Sequence, residues 1–249
     1  MPKVLVIDDN RPFAENLCEI LEEAGHEVVI ATSGEEALQR VAGASFDVML
    51  SDMRMPEMGG AELVHRMRQL DPGLPALVIT AFTRDNDLEC ARQEGLLAIL
   101  PKPVPIPVLL SLIACARRDG LVALIEDDSK LLDNLTEALR ERGFATVTAS
   151  TVLEAAHLGA VTPFVALVDL RVPGGPDGEA MRALLARYPG IPTLVMTAHP
   201  DGPILAGTQS VFIKPFQTAD LLNAVEKLHS QHRASRLGKR PSKDPAVGR

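Results

Sequence analysis

Short, almost wholly apolar runs alternate with longer segments of helical spacing along most of this chain. In the first half the short runs fall at residues 3–7, 27–31, 46–51, 75–80 and 97–100. The helical segments fall at 11–24, 34–42, 60–70, 84–94 and 105–118, with Phe13, Leu17, Ile20 and Leu21 spaced as one helix face. Continuous apolar runs suit strands buried on both faces, and strict alternation with helices predicts a parallel sheet covered on each side. Ser33, ahead of Gly34–Glu35–Glu36, has the chemistry of a helix cap.

The order then repeats. Strands are predicted at 122–125, 146–149, 164–168, 193–197 and 211–213, and helices at 129–142, 153–159, 179–188 and 218–231. The expected fold is α/β, with two consecutive doubly wound parallel-sheet domains at 1–119 and 120–230. One element is short of room. Thr80 and Lys102 stand twenty-two positions apart, but their counterparts Thr197 and Lys214 only seventeen, and His199–Pro200–Asp201–Gly202–Pro203 discourages a helix there. Helix 4 of the second domain is therefore expected to be short or absent.

Asp119 and Gly120 fall between the predicted helix 105–118 and the strand that opens the second half, which implies a tight turn or hinge. The stretch 106–116 is apolar almost all round, so its outer face is expected to pack on domain two, giving a compact monomer, or in second place on another subunit of a homodimer. From Gln231 to Arg249 the chain becomes rich in Arg, Lys, Ser, Gly and Pro, the composition of a disordered basic tail. Weak nucleic-acid contact is open to that tail only.

The polar residues at the strand ends carry the chemistry. Asp8 and Asp9 follow the first strand, Asp52 the third, Thr80 the fourth and Lys102 the fifth. Glu126, Asp127, Asp169, Thr197 and Lys214 recur in the same order in the second half. Residues just past the C-terminal strand ends of such a sheet converge in one crevice. Clustered carboxylates repel one another unless a cation intervenes, and an all-oxygen ligand set points to Mg²⁺ and away from Zn²⁺. A carboxylate could attack phosphorus while Lys and Mg²⁺ spread the charge and the Thr hydroxyl donates to an oxyanion. Asp after a strand also caps helices, but an ordered duplicate of the whole set is hard to reach by coincidence.

Composition narrows the rest. Apolar residues make up 46% of the chain, enough for two cores, while aromatics are only 3%, so packing must rest on aliphatic side chains and Met. The net charge of -8 disfavours nucleic acid as a partner of the whole protein. Cys18, Cys90 and Cys115 lack metal-ligand spacing and read as reduced thiols in or near the cores. No apolar run has the length of a signal peptide core or a membrane span, so a cytoplasmic protein without membrane insertion is expected.

The stretches VLVIDDN, VMLSDMRMPEMGG, LVITA and LPKP, then ALIEDD, ALVDLRVPGG, LVMTA and IKPF, resemble tandem receiver domains of bacterial two-component response regulators, a flavodoxin-like (βα)5 family. The resemblance covers nearly all of the chain before the tail. It implies that Asp52 and Asp169 accept phosphoryl groups from phosphohistidine on a sensor histidine kinase or histidine phosphotransfer protein. Asp8, Asp9, Glu126 and Asp127 would hold Mg²⁺ with the backbone carbonyls of Arg54 and Arg171. Thr80, Thr197, Lys102 and Lys214 would contact the phosphoryl group. Such a protein is a phosphoacceptor with slow self-dephosphorylation, not a classical enzyme. It shows no DNA-binding or other output domain and would signal through a protein partner or a phosphorelay. Two departures stand out: Ile99 and Val211 replace the family's usual Tyr or Phe, and strand alternation should turn the neighbouring Phe212 to the opposite face. A scaffold that keeps the fold without phosphorylation is one alternative. A haloacid dehalogenase-type phosphatase is another, though it would place Asp-x-Asp after the first strand.

Overall fold

The computed structural model describes residues 1–81, 86–159, 161–175, 178–198 and 208–237. The first half runs β1 (Lys3–Ile7), α1 (Arg11–Glu23), β2 (Glu27–Ala31), α2 (Gly34–Gly43), β3 (Val48–Asp52), α3 (Gly60–Leu70), β4 (Ala76–Thr80), α4 (Asn86–Gln93), β5 (Ala98–Pro101) and α5 (Ile106–Cys115). The second runs β6 (Leu121–Ile125), α6 (Ser129–Glu141), β7 (Ala145–Ala149), α7 (Val152–Ala156), β8 (Val165–Asp169), α8 (Glu179–Arg187), β9 (Thr193–Thr197), β10 (Thr208–Ile213) and α9 (Thr218–Leu237). Every strand pairing is parallel, in the orders β2-β1-β3-β4-β5 and β7-β6-β8-β9-β10. These are two consecutive (βα)5-type domains of one topology. Among the described residues no helix stands between β9 and β10; residues 199–207, which include the Pro-flanked stretch, lie outside them.

Strand alternation divides each core in two. In β1, Leu5 and Ile7 pack with Met49, Leu63 and Met67 on one face, while Val4 and Val6 pack with Leu17, Leu21 and Leu50 on the other. Ala123 and Ile125 oppose Val122 and Leu124 in the same way in β6. Helix entry repeats as well. Ser33 Oγ accepts from Glu36 N and Thr151 Oγ1 from Glu154 N, and each Glu reaches back to the backbone N–H of Thr32 or Ser150. Both are variants of the capping box in which the Glu binds the N–H one residue ahead of the cap.

Two boundaries differ from expectation. α5 ends at Cys115, not at 118, because Arg117 N–H turns to the carbonyl of Gly143 in domain two. The turn that follows includes Asp119 at φ 57°. The change of composition at Gln231 does not end α9, which runs to Leu237. The added turns are held by tertiary partners: the rings of His232 and Phe164 lie 5.9 Å apart, and Arg236 ion-pairs with Asp119. Cys90 also departs from expectation, being exposed, while Cys18 and Cys115 are half-buried.

The two domains meet edge to edge. A cleft between them is lined by Leu96, Ala98 and Ile99 at β5 and by Arg140, Thr146 and Thr148 on α6 and β7. Cys115 Sγ lies 3.8 Å from the carbonyl of Arg140, so the last turn of α5 is covered by domain two as expected, whereas Val108 near its start remains 45% exposed. The connection itself is clamped. Arg117 and Arg142 each reach Glu226 of α9 at 3.0 Å, Arg118 holds Asp71 through two bonds of 2.6 and 2.7 Å, and buried His229 donates from Nε2 to the carbonyl of Arg118. Burial lowers the pKa of His229, reinforced by the nearby arginines, so the ring favours its neutral form.

Candidate phosphoryl and metal sites

Each domain gathers its acidic residues at the C-terminal ends of neighbouring strands. β1 delivers Asp8 and Asp9, and β3 delivers Asp52. Carboxylate oxygens of Asp8, Asp9 and Asp52 lie within 4.8 Å of one another, as do those of Glu126, Asp127 and Asp169. Their exposure is graded. Asp8 and Glu126 are buried, while Asp9 and Asp127 are exposed at the mouth. Asp52 is half-buried and Asp169 buried, with side-chain exposures of 13% and 11%.

The lysines enter from the ends of β5 and β10. Lys102 Nζ lies 2.9 Å from Oδ2 of both Asp8 and Asp52. Lys214 Nζ lies 2.7 Å from Glu126 Oε2 and 2.5 Å from Asp169 Oδ2. Each lysine N–H is also fixed by the carbonyl of the threonine that ends the preceding strand, Thr80 at 2.9 Å and Thr197 at 2.8 Å. Thr80 and Thr197 are buried. Asp52 stands level with Ile79 in the β3–β4 pairing, and Thr80 with Pro101 in the β4–β5 pairing, which puts the threonine on the same sheet edge as the acids. Lys102–Pro103 and Lys214–Pro215 are both cis.

Local backbone donors complete each acidic pair. Asp8 Oδ1 accepts from Asn10 N and Glu126 Oε1 from Asp128 N, while Asn10 and Asp128 cap α1 and α6. Arg171 N donates to Asp169 Oδ1 at 2.9 Å, and Arg54 N stands 3.5 Å from Asp52 Oδ1. These contacts place both arginine backbones beside the acids. The cap residues, and Phe13 whose ring lies under Lys102 Nζ at 4.4 Å, were not singled out from sequence. Asn10 and Asp128 were legible as polar residues one step after the acids; Phe13 reads only as a helix-face residue.

Burial raises the pKa of Asp8 and of Glu126, outweighing the lysine contacts that lower it. Burial also acts most strongly on Lys102 and Lys214, pulling them down, but the paired carboxylates together overbalance it and raise both. The two directions say different things about one ion pair. A raised lysine marks a favourable pair; a raised Asp8 marks an acid whose burial one lysine does not offset. The second is decisive for chemistry, because three carboxylates facing one ammonium leave an excess of negative charge. That excess, all-oxygen donors and absence of His or Cys from both clusters fit a hard divalent cation.

Residues 4–114 match the model of the response regulator receiver domain. A response regulator receiver protein of Anaeromyxobacter sp. (strain Fw109-5) is 59% identical over 231 residues, covering 93% of this chain and 97% of that one. Response regulator protein FleR of Pseudomonas aeruginosa is 34% identical over 53% of this chain, which spans 29% of its length. Among solved structures, chemotaxis protein CheY4 of Vibrio cholerae is 34% identical with a TM-score of 0.43, covering 46% of this chain and 97% of that one. Near-complete alignment with the Anaeromyxobacter protein spans both repeats. The chain belongs to the response regulator receiver family, as two tandem receiver domains that act as phosphoacceptors in two-component signalling.

Proposed function

We propose that Asp52 and Asp169 are both phosphoacceptors, supplied by a phosphohistidine of a sensor histidine kinase or histidine phosphotransfer protein. The observation that carries this reading is the paired geometry: in each domain one lysine bridges the acid after the first strand and the acid that ends the third strand, across the sheet edge. A carboxylate oxygen attacks phosphorus, the N–P bond breaks with its electron pair returning to the imidazole nitrogen, and an acyl phosphate forms.

The chain's own groups orient the acceptor. Lys102 and Lys214 hold Oδ2 of the acceptors, and the backbone N–H groups of Arg54 and Arg171 face Oδ1. Thr80 and Thr197 are placed to donate to the transferred phosphoryl oxygens, and exposed Ala81 and Ala198 leave the approach unobstructed. Mg²⁺ would be held by Asp8, Asp9 and Asp52 with the Arg54 carbonyl, and by Glu126, Asp127 and Asp169 with the Arg171 carbonyl. When bound, it would neutralise charge developing on the phosphoryl oxygens.

We place the domain division at Asp119–Gly120, where the clamped connection lies. The output runs through a protein partner or onward phosphotransfer, in the cytoplasm. No helix among the described residues is long and apolar enough to cross a membrane. The direct test is transfer from a labelled phosphohistidine protein to wild type and to Asp52→Ala, Asp169→Ala and double variants. Label that is cleaved by hydroxylamine, halved by each single substitution and lost in the double variant supports two acceptors. Label that survives the double substitution refutes it.

A further inference from the structure

The two sites share one backbone frame and differ beside the lysine. α1 and α6 are both thirteen residues long, and their third residues are Phe13 and Leu131. Each is pinned by the residue that caps its helix: Phe13 N donates to Asn10 Oδ1 and Leu131 N to Asp128 Oδ1, both at 3.2 Å. The same cap residues give their own N–H groups to the buried acids, Asn10 to Asp8 at 2.8 Å and Asp128 to Glu126 at 3.2 Å. A short path of bonds therefore fixes the third helix residue relative to the acid in each domain. Both residues are half-buried and pack against the core on their helix's side of the sheet. Only the side chain differs.

At the first site the ring of Phe13 turns its face to Lys102 Nζ, which lies 4.4 Å from the ring centroid. An ammonium carries three donors, and Asp8 and Asp52 each take one from Lys102. The π face supplies a third attraction that involves neither carboxylate. This matters once Asp52 is modified. Forming an acyl phosphate removes the carboxylate charge that holds Nζ at 2.9 Å, while Asp8 and the ring remain. At the second site Glu126 and Asp169 hold Lys214, and Leu131 has no ring to add.

We infer that Phe13 is a positioning residue for phosphoryl transfer to Asp52. Its ring keeps the Lys102 ammonium at the acceptor while negative charge moves from the carboxylate to the phosphoryl group. The second site works without that hold. The inference rests on the reading of Asp52 as an acceptor, and Phe13 acts through Lys102.

The full chain carrying Phe13→Leu or Phe13→Tyr tests this. Leucine already occupies the matching position of domain two, so Phe13→Leu should fold, and circular dichroism checks that it does. In the unmodified protein, NMR should find the Lys102 Cε protons upfield of those of Lys214, shifted by the ring, and Phe13→Leu should abolish the difference. Urea melts separate a held charge from simple packing. Phe13→Leu should lower the midpoint more in the wild-type chain than in Lys102→Met, where there is no ammonium to hold.

Transfer from acetyl phosphate at saturating Mg²⁺ is then followed by intact mass in chains that keep a single acceptor. An Asp52 oxygen attacks phosphorus, and acetate leaves with the electron pair of the broken O–P bond. In an Asp169→Ala chain, Phe13→Leu should slow labelling of Asp52 about threefold, and Phe13→Tyr, which keeps a ring, should label at the wild-type rate. In an Asp52→Ala chain, Phe13→Leu should leave labelling of Asp169 unchanged. Lys102 and Lys214 protons at equal shifts, equal midpoint losses in both backgrounds, or an unchanged Asp52 rate in Phe13→Leu overturns the inference and leaves the acceptor reading standing. A chain that takes no label at Asp52 refutes the acceptor reading, and this role with it, even where the shifts and melts show the ring holding Lys102.

Discussion

Lys102 and Asp52 meet at 2.9 Å although fifty residues separate them, and Lys214 and Asp169 meet at 2.5 Å in the second domain. Each lysine leaves the end of a strand at one edge of the sheet and crosses the intervening strand to the acid. The same ammonium also touches the buried acid of β1 or β6. Removing the lysine therefore frees two carboxylates at once. Lys102→Ala should keep a cooperative thermal transition, because the sheet core does not depend on it, and should lose about 1–2 kcal/mol without divalent cation. Added Mg²⁺ should return part of that loss. Differential scanning calorimetry with and without Mg²⁺ reads both effects, and a non-cooperative melt would give Lys102 a structural role.

Asp9 and Asp127 are the exposed members of their clusters, so they can be changed with little effect on packing. Asp9→Asn should weaken Mg²⁺ binding at the first site by about tenfold, roughly 1.4 kcal/mol, and leave the second unchanged. Asp127→Asn should do the reverse. Isothermal titration that shows loss at both sites from one substitution would contradict two independent metal sites.

The buried acids make stability fall as pH rises. The native pKa of Asp8 and Glu126 is raised, so the folded state holds those protons more tightly than the unfolded chain. The resulting stabilisation is fully present below the ordinary carboxylate values of 3.8 and 4.5 and is lost as pH climbs through the raised native ones. Without Mg²⁺, Asp8→Asn should thus be more stable than wild type at pH 7, by on the order of 1 kcal/mol. The advantage should shrink toward pH 4 and should also shrink when Mg²⁺ is added, since only wild type keeps the full ligand set. Urea melts at several pH values measure it. A variant less stable at pH 7 would mean that the Lys102–Asp8 pair outweighs the burial of Asp8.

Much of this site was legible because its residues follow strands whose apolar runs are unmistakable. Once β1, β3, β4 and β5 are placed, topology alone brings Asp8, Asp52, Thr80 and Lys102 to one edge. The clamp around the connection was not legible. Gln231 to Leu237 looks like a polar tail because the partners of His232 and Arg236, Phe164 and Asp119, lie far away in sequence. Arg68 hid in the same way. It is buried, with its pKa lowered to about 10 by burial, and its guanidinium bonds the carbonyls of Pro72, Leu74, Glu94 and Gly95. Nothing in the alternation of polar and apolar residues marks an arginine that closes two loops from inside.

Gly143 and Gly190 separate the contribution of the domain seam from that of backbone strain. Both have φ near +80°, but a Cβ on Gly143 would overlap the carbonyl of Cys115 at 1.7 Å, while one on Gly190 would meet nothing within 4 Å. Gly190→Ala should cost about 1 kcal/mol, the expense of left-handed backbone alone. Gly143→Ala should cost more, by about 1–3 kcal/mol, and should enlarge the radius of gyration in small-angle scattering. Equal losses with an unchanged scattering profile would mean that the seam yields without opening.

The account stands most directly on two acceptors in one chain. Intact-mass spectrometry after treatment with a small phosphodonor and Mg²⁺ should show species with one and with two added phosphoryl groups. Asp52→Ala and Asp169→Ala should each stop at one, and the double variant should show none. A wild-type protein that never exceeds one group, or a double variant that still gains one, would contradict it.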